Sequence, residues 1–236
     1  MEVNQFLQQY SAGKRTFQKL NLQEAELVKV NLSRIDLTAA DLRQSRLGRT
    51  NLSNACLQKA DLSESILWGT DLTTANLKRA LLREADLSGA ILTKANLKRA
   101  NLIKAILKGA NLSHAKLSET LMLEVDLRPT TDYRTNLNHA NLSYADLSYA
   151  NLSMAILYRA NLEGAKLCRA NLSAGMGLTT DLTEANLQGA DLSYANFSGA
   201  ILSKANLKDA DLTGTNLDDA NLTEAIMPDG SVYKTI

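Results

Sequence analysis

The sequence has few of the residues that usually build a globular core or a reactive site. Its 236 residues include only three phenylalanines, one tryptophan, two prolines, two cysteines and two histidines. Aromatic side chains supply much of the core of ordinary domains, so their scarcity argues against such a core. Leucine, alanine, asparagine, aspartate and serine dominate instead, and a bias of this kind indicates a repetitive fold.

Excess charge and long apolar runs are also lacking. The 26 basic and 25 acidic residues leave a net charge of +1, so no overall field attracts nucleic acid or anionic lipid. No run of about 20 apolar residues could cross a membrane, and the first residues lack the apolar segment of a secretion signal. We therefore expect a cytoplasmic protein with no membrane or direct nucleic-acid partner.

Catalytic and metal-binding patterns are missing as well. His114 and His139 are expected on different faces of a repeating fold, with no cysteine at metal-ligand spacing. Cys56 and Cys168 lie too far apart in such a fold for a disulfide. No phosphate-binding or dinucleotide-binding glycine motif occurs. The sequence predicts no catalytic residue, metal or cofactor, and hence no enzyme.

The sequence does contain a period of five residues, as in ANLKRA, ANLSHA and ADLSYA. Of the 42 positions taken every fifth residue from Leu22 to Met227, 37 are leucine. A second column, from Ala25 to Ala225, holds 28 alanines among 41 positions, and otherwise only serine, threonine, glycine, valine or isoleucine. Both columns are predicted to point inward, and the three other positions, mostly polar, outward.

This period fits neither an α-helix nor a flat strand, because neither would keep the leucines on one side. The chain must therefore turn once per quintet. Four quintets would make a square coil of about 20 residues, so residues 20 apart should stack, with their backbones paired between coils. Leucine and alanine would fill the interior, which leaves no room for a cofactor or a small-molecule substrate.

The repeated A-(N/D)-L-x-x pattern resembles the pentapeptide-repeat family, and it extends over residues 15–229. The resemblance implies an all-β fold, a right-handed quadrilateral β-helix. Residues 1–14 are predicted to form a short amphipathic helix that caps the first coil. A Pro-Asp-Gly turn ends the repeat, and residues 230–236 form a C-terminal tail.

In two quintets, the residue in the leucine column is neither leucine nor another large apolar residue. Asp132 would be an unpaired charge if buried, so the segment near 128–135 is predicted to bulge outward as a loop. Such a loop either binds a partner or merely relieves strain in the stack. At the second site, Gly177, we expect Met176 or Leu178 to fill the missing leucine's space. The loop residues proposed to bind a partner are Arg128, Pro129, Thr130, Thr131, Asp132, Tyr133 and Arg134.

A basic stripe is a second candidate for partner binding. Lys59, Arg79 and Arg99 are spaced by 20 residues and should stack. Stacked like charges repel one another, so the stripe either marks the site of an acidic partner or is an ordinary solvated face. The last coils carry an excess of acidic residues, which gives the stack a basic middle and an acidic end.

The two ends of the repeat extend the resemblance to cyanobacterial members of the family, through QQYSAGKRTF and AIMPDGSVY. This resemblance implies a regulator of heterocyst differentiation that binds a regulatory protein, the transcription regulator HetR. The short, polar C-terminal tail predicts a monomer. Other family members mimic DNA and interact with gyrase, which is the alternative function. DNA mimicry requires an extended negative surface, and the net charge of +1 argues against it.

Overall fold

Parallel bridges between residues 20 positions apart connect successive coils in the computed structural model, which describes residues 2–234. Asn21 pairs with Asp41, and Asp41 pairs with Asp61. Similar bridges form at the first residue of each regular quintet from Thr16 to Ile226, so each coil has four bridged sides. The bridges are isolated, and the described residues contain no longer strand. The repeat β-helix predicted from the sequence is confirmed.

Each regular quintet is a short bridge followed by a turn. The backbone N–H of the leucine donates to a carbonyl of the next coil, as Leu22 does to Asp41 at 2.7 Å. The backbone N–H of the fifth residue donates to the leucine carbonyl and closes the turn, as Ala25 does to Leu22 at 3.1 Å. The side-chain oxygen of an asparagine at the first position accepts the backbone N–H of the third residue, as Asn21 does from Gln23 at 2.9 Å. This local hydrogen bond explains the preference for asparagine and aspartate.

The fourth residue of the quintet has a left-handed backbone in most repeats. Its φ lies between 54° and 61° where it is not glycine, as at Lys94 and Arg159. Side chains with a Cβ atom rarely adopt this conformation, which costs roughly 1–2 kcal/mol per residue. The stacked hydrogen bonds and the buried leucines impose it all along the coil.

The core consists of the leucine and alanine columns, most of whose members are fully buried. Where serine or threonine replaces alanine, its hydroxyl bonds to a backbone carbonyl, as Thr70 does to Leu47 at 2.7 Å. No buried side-chain nitrogen or oxygen in the described part of the chain lacks a partner. The narrow alanine column therefore accepts small polar residues without an unsatisfied group.

Both ends of the stack carry additional structure. Helix α1 (Val3–Ser11) buries Phe6, whose ring meets Phe17 of the first coil edge-on at 4.8 Å. At the other end the chain folds back, and Val232 forms an antiparallel bridge with Ile226. Met1 of the predicted cap and residues 235–236 of the predicted tail lie outside the described residues. Over residues 2–234, no helix is long and apolar enough to span a membrane.

The pairing changes register at two places. Asn111 pairs with Asn136 and Ile156 pairs with Asp181, so the partners are 25 residues apart instead of 20. One quintet leaves the coil at each place and forms a loop. The expectation that residues 20 apart stack throughout is therefore wrong for coils that contain a loop, although the period of five continues in the sequence.

Candidate interaction surface

Loop 1 comprises residues 128–135 and lies between the bridged residues Asp126 and Asn136. A small turn shapes it: the Thr130 N–H donates to the Tyr133 carbonyl at 2.8 Å, and the Tyr133 N–H donates to Oγ1 of Thr130 at 3.0 Å. Asp132 is exposed, and Tyr133 retains 68% of its accessible surface. Loop 1 thus presents an aromatic side chain to solvent while no carboxylate is buried.

Thr135 anchors the end of loop 1. Its side chain is fully buried in the alanine column. The hydroxyl oxygen accepts the Gly109 N–H at 2.9 Å and lies 3.0 Å from the Arg128 carbonyl. One side chain therefore joins both ends of the loop to the preceding coil.

Loop 2 comprises residues 173–180 and contains a tight hairpin. Gly175 and Leu178 exchange two backbone hydrogen bonds of 2.8 Å, around Met176 and Gly177, which both have positive φ. Met176 is 86% exposed and Leu178 is 38% exposed. The expectation that one of them fills the missing leucine's space is wrong, because the whole quintet leaves the core and no such space remains.

Thr180 anchors loop 2 as Thr135 anchors loop 1. Its buried hydroxyl accepts the Met154 N–H at 2.8 Å and donates to the Ser173 carbonyl at 3.0 Å. Each threonine follows the residue that breaks the leucine column by three positions. That spacing is a sequence signal for both loops, beyond the missing leucine itself.

The two loops lie on the same edge of the stack. Bridges run from Asp126 to Asn151 and from Asn151 to Asn171, so the loops start two coils apart, about 10 Å at the usual strand spacing. The Arg134 side chain spans this interval. It donates through Nε to the Met154 carbonyl at 2.8 Å and through Nη2 to the Thr179 carbonyl at 2.5 Å. Loops 1 and 2, with the coil between them, are called the two-loop edge.

A shallow groove of about 360 Å³ runs along the two-loop edge. Two of its lining residues contact Asp126: Arg128 donates to this carboxylate at 2.8 Å, and the Lys108 ammonium lies 3.2 Å from it. Burial raises the pKa of the Asp126 carboxyl, but hydrogen bonds from Arg128 and Lys108 outweigh it and hold the pKa below 3.8. The groove is lined by Lys108, Arg128, Pro129, Asn151, Ser153, Met154, Asn171 and Met176.

Gly109 lies directly beneath loop 1. A Cβ atom at this position would come within 2.9 Å of the Thr130 side chain and 3.1 Å of the Tyr133 carbonyl oxygen. Its φ of 63° is shared with Gly89, one coil away, where a Cβ atom would meet nothing within 4 Å. The absence of a side chain at Gly109 therefore lets loop 1 pack closely on the stack.

The predicted basic stripe is present on another side of the stack. Lys59, Arg79 and Arg99 are exposed and occupy equivalent positions in successive coils. Arg99 pairs with Glu119 of the next coil at 2.7 Å, whereas Lys59 and Arg79 have no ion pair in the described residues. The stripe ends at Glu119, and the stripe is not part of the two-loop edge.

The two histidines were expected on different faces of the stack, but they lie side by side. Their rings stack at 4.9 Å with planes 4° apart, and His139 also meets Tyr158 edge-on at 5.6 Å. The prediction was wrong because loop 1 makes residues 25 apart equivalent at this height. Within residues 2–234, no cluster of three histidine, cysteine or acidic residues could hold a metal, and Cys56 and Cys168 are free.

The chain resembles known proteins in both sequence and structure. The profile of pentapeptide repeats matches in eight copies, over residues 17–54, 55–93, 80–119, 135–173 and 180–219. The two gaps within this match, residues 120–134 and 174–179, fall at the two loops. No curated protein matches the sequence.

Among solved structures, the chain is similar to HetL, a pentapeptide repeat protein involved in heterocyst differentiation regulation from the cyanobacterium Nostoc sp. strain PCC 7120. The identity is 58% over 99% of this chain and 100% of that chain, with a TM-score of 0.98. Full-length QnrB1, a plasmid-mediated fluoroquinolone resistance protein, is 20% identical over 91% of this chain and 94% of its own, with a TM-score of 0.33. Only the HetL likeness bears on function.

Proposed function

The chain belongs to the pentapeptide-repeat family, and on that basis we propose that it is a non-enzymatic interaction module that regulates heterocyst differentiation by binding a regulatory protein. The observation that carries this proposal is the full-length likeness to HetL, at 58% identity and a TM-score of 0.98. The proposed partner is the transcription regulator HetR. The protein would act as a cytoplasmic monomer.

The two-loop edge is the proposed binding surface. Aromatic residues, methionine and arginine are enriched at protein interfaces, and here Tyr133, Met176 and Arg128 lie on one rigid edge. Loops held by a rigid scaffold often carry function. Arg134 and the two buried threonines hold both loops in place before binding, which lowers the entropic cost of association.

The basic stripe is proposed as a secondary contact for an acidic part of the partner. Lys59 and Arg79 offer two exposed, unpaired cations in the described part of the chain. Such rim charges mainly accelerate association and make it sensitive to salt.

The domain division into a cap over 1–14, a repeat over 15–229 and a tail over 230–236 also remains a proposal. So does the right-handed quadrilateral form of the coil, which the four bridges per 20 residues support.

Deleting the loops tests the proposed surface. Because each loop is an inserted quintet, removing residues 175–179 joins Ala174 to Thr180 and restores a regular repeat. The same operation on loop 1 removes residues 130–134, with Pro129→Gly to permit the left-handed turn. Binding of each purified variant to HetR would be measured by calorimetry, with unfolding curves to verify the fold.

We expect loss of loop 1 to weaken HetR binding at least about tenfold, which corresponds to 1.4 kcal/mol. A Lys59→Ala/Arg79→Ala variant is the control for the stripe and should mainly slow association at low salt. Tight binding of HetR by both loop-deleted variants would remove the two-loop edge from the proposal. Absence of binding by the intact chain would reject HetR as the partner.

The gyrase alternative receives no support from the charge distribution. The acidic side chains Asp209, Asp218 and Asp219 lie in the last coils, while the middle of the stack carries the basic stripe. A DNA mimic would need negative charge along its length. We expect the protein to leave gyrase supercoiling unchanged at micromolar concentration, and inhibition or protection in that assay would revive the alternative.

A further inference from the structure

A second groove lies beside the basic stripe, next to the stacked histidines, and Lys78 and Lys98 of its lining directly precede Arg79 and Arg99 of the stripe. It has a volume of about 460 Å³ and its lining includes Lys78, Lys98, His114, Lys116, Ser118 and His139. These residues are called the histidine groove. We propose that the histidine groove binds a phosphate group, either free or as a phosphomonoester. This proposal does not depend on the proposed regulatory partner.

The charge of the histidine groove favours an anion. Lys98 contacts Glu119 at 3.1 Å, and Glu119 is shared with Arg99. Lys78 and Lys116 have no carboxylate partner in residues 2–234. The groove therefore contains three ammonium groups, of which only one is paired, and a dianion would provide the missing counter-charge.

The groove also offers an unused backbone donor. In regular quintets the third N–H donates to the first-position side chain, as from Lys98 to Asn96 at 3.2 Å and from Ser113 to Asn111 at 3.1 Å. Lys116 occupies that first position in its own quintet, so the Ser118 N–H has no acceptor within the described chain. Free backbone N–H groups beside cations are characteristic of phosphate sites.

The histidine pair completes the set of donors. Each neutral imidazole has one N–H donor, and each protonated one has two. His114 and His139 are held 4.9 Å apart, with Tyr158 against the far side of His139. Lysines, imidazoles and a backbone N–H around one groove suit a tetrahedral oxyanion with several acceptor oxygens.

Imidazole NMR gives a direct test, because the sequence contains only two histidines and both line the groove. The intact protein would be titrated with inorganic phosphate, with adenosine monophosphate, and with sodium chloride at matched ionic strength. We expect saturable shifts of both histidine signals with at least one phosphate compound, and small linear shifts with chloride. Stronger binding of the nucleotide would indicate a phosphomonoester, and stronger binding of phosphate would indicate the free ion.

Lys116→Asn is the informative variant, because asparagine is the usual residue at this position and would both remove the charge and accept the Ser118 N–H. It should weaken phosphate binding at least about fivefold. Lys166→Asn is the matched control, since it removes the same charge at the same repeat position outside the groove. Only linear shifts with both phosphate compounds, or equal weakening by the two variants, would overturn the proposal.

Discussion

Nη2 of Arg134 lies 2.5 Å from the carbonyl oxygen of Thr179. This contact joins loop 1 to loop 2, although 45 residues separate the two positions in the sequence. The same side chain donates to the Met154 carbonyl in the coil between the loops. One side chain therefore joins the two irregular quintets into a continuous surface.

Arg134→Met should loosen loop 2 as well as loop 1. Hydrogen bonds that involve a charged group contribute about 1.5–3 kcal/mol each, and methionine keeps much of the aliphatic packing. We expect amide exchange to accelerate over residues 175–180 and the free energy of unfolding to fall by at least about 3 kcal/mol, because two such hydrogen bonds are lost. Arg159→Met, which breaks an exposed ion pair with Glu184, is the control and should change stability much less, because exposed ion pairs contribute little. Unchanged exchange in loop 2 would contradict the link.

Gly109→Ala should disturb loop 1, whereas Gly89→Ala should not. Both substitutions place a Cβ at the same φ of 63°, so both incur the left-handed cost of about 1–2 kcal/mol. At Gly109 the new atom also meets Thr130 and the Tyr133 carbonyl, which adds roughly 1–3 kcal/mol through overpacking. Urea unfolding measures the difference, and the Tyr133 ring signals report the displacement. Equal destabilisation by the two variants would show that loop 1 yields without cost.

Lys94→Gly should stabilise the protein. Lys94 has a φ of 58° and makes no ion pair among residues 2–234. Glycine relieves the left-handed cost of about 1–2 kcal/mol and loses about 0.5–1 kcal/mol through greater freedom in the unfolded chain. The net expectation is a gain of up to about 1.5 kcal/mol in the free energy of unfolding. Thr93→Gly, at the adjacent turn position without a positive φ, should reduce stability, and a loss in both variants would refute the account of backbone strain.

Asp126 should make the protein less stable in acid. Its folded-state pKa is lowered, so its contribution is fully present above the ordinary value of 3.8 and is lost as the pH falls through the lower folded value. Asp126→Asn keeps an acceptor for the Arg128 N–H but removes the charge. The difference in unfolding free energy between the two proteins should be largest near neutral pH and should shrink below pH 3.8. A constant difference across this range would exclude the ionic contribution.

The sequence was sufficient to predict the repeat and its interior. A leucine every fifth residue cannot stay buried unless the chain turns once per quintet. The leucine column does not set the number of sides, and the expected coil of about 20 residues agrees with the bridges between residues 20 apart. Asp132 and Gly177 also marked the two interruptions. The helix at the N terminus was predicted from the spacing of Phe6 and its apolar neighbours, and that segment is α1.

The path of the irregular quintets was not predictable from the period, because a quintet counts as five residues whether it lies in the coil or outside it. This ambiguity caused the wrong placement of His114 and His139 and the wrong expectation for Met176. Thr135 and Thr180 indicate which quintets leave the coil. A hydroxyl in the alanine column can bond the two ends of a loop, but the same residue type also occurs in regular coils, as at Thr70.

The return of each loop to the side of the stack that it left has an evolutionary consequence. A quintet added within the coil would rotate every later residue by a quarter of a turn and dismantle all the surface columns beyond it. A quintet expelled as a loop rotates nothing, so its length and composition can vary while the rest of the molecule keeps its surface. Recognition can therefore diversify at these two points independently of the scaffold, and a foreign segment grafted between Arg128 and Thr135 would inherit a fixed position.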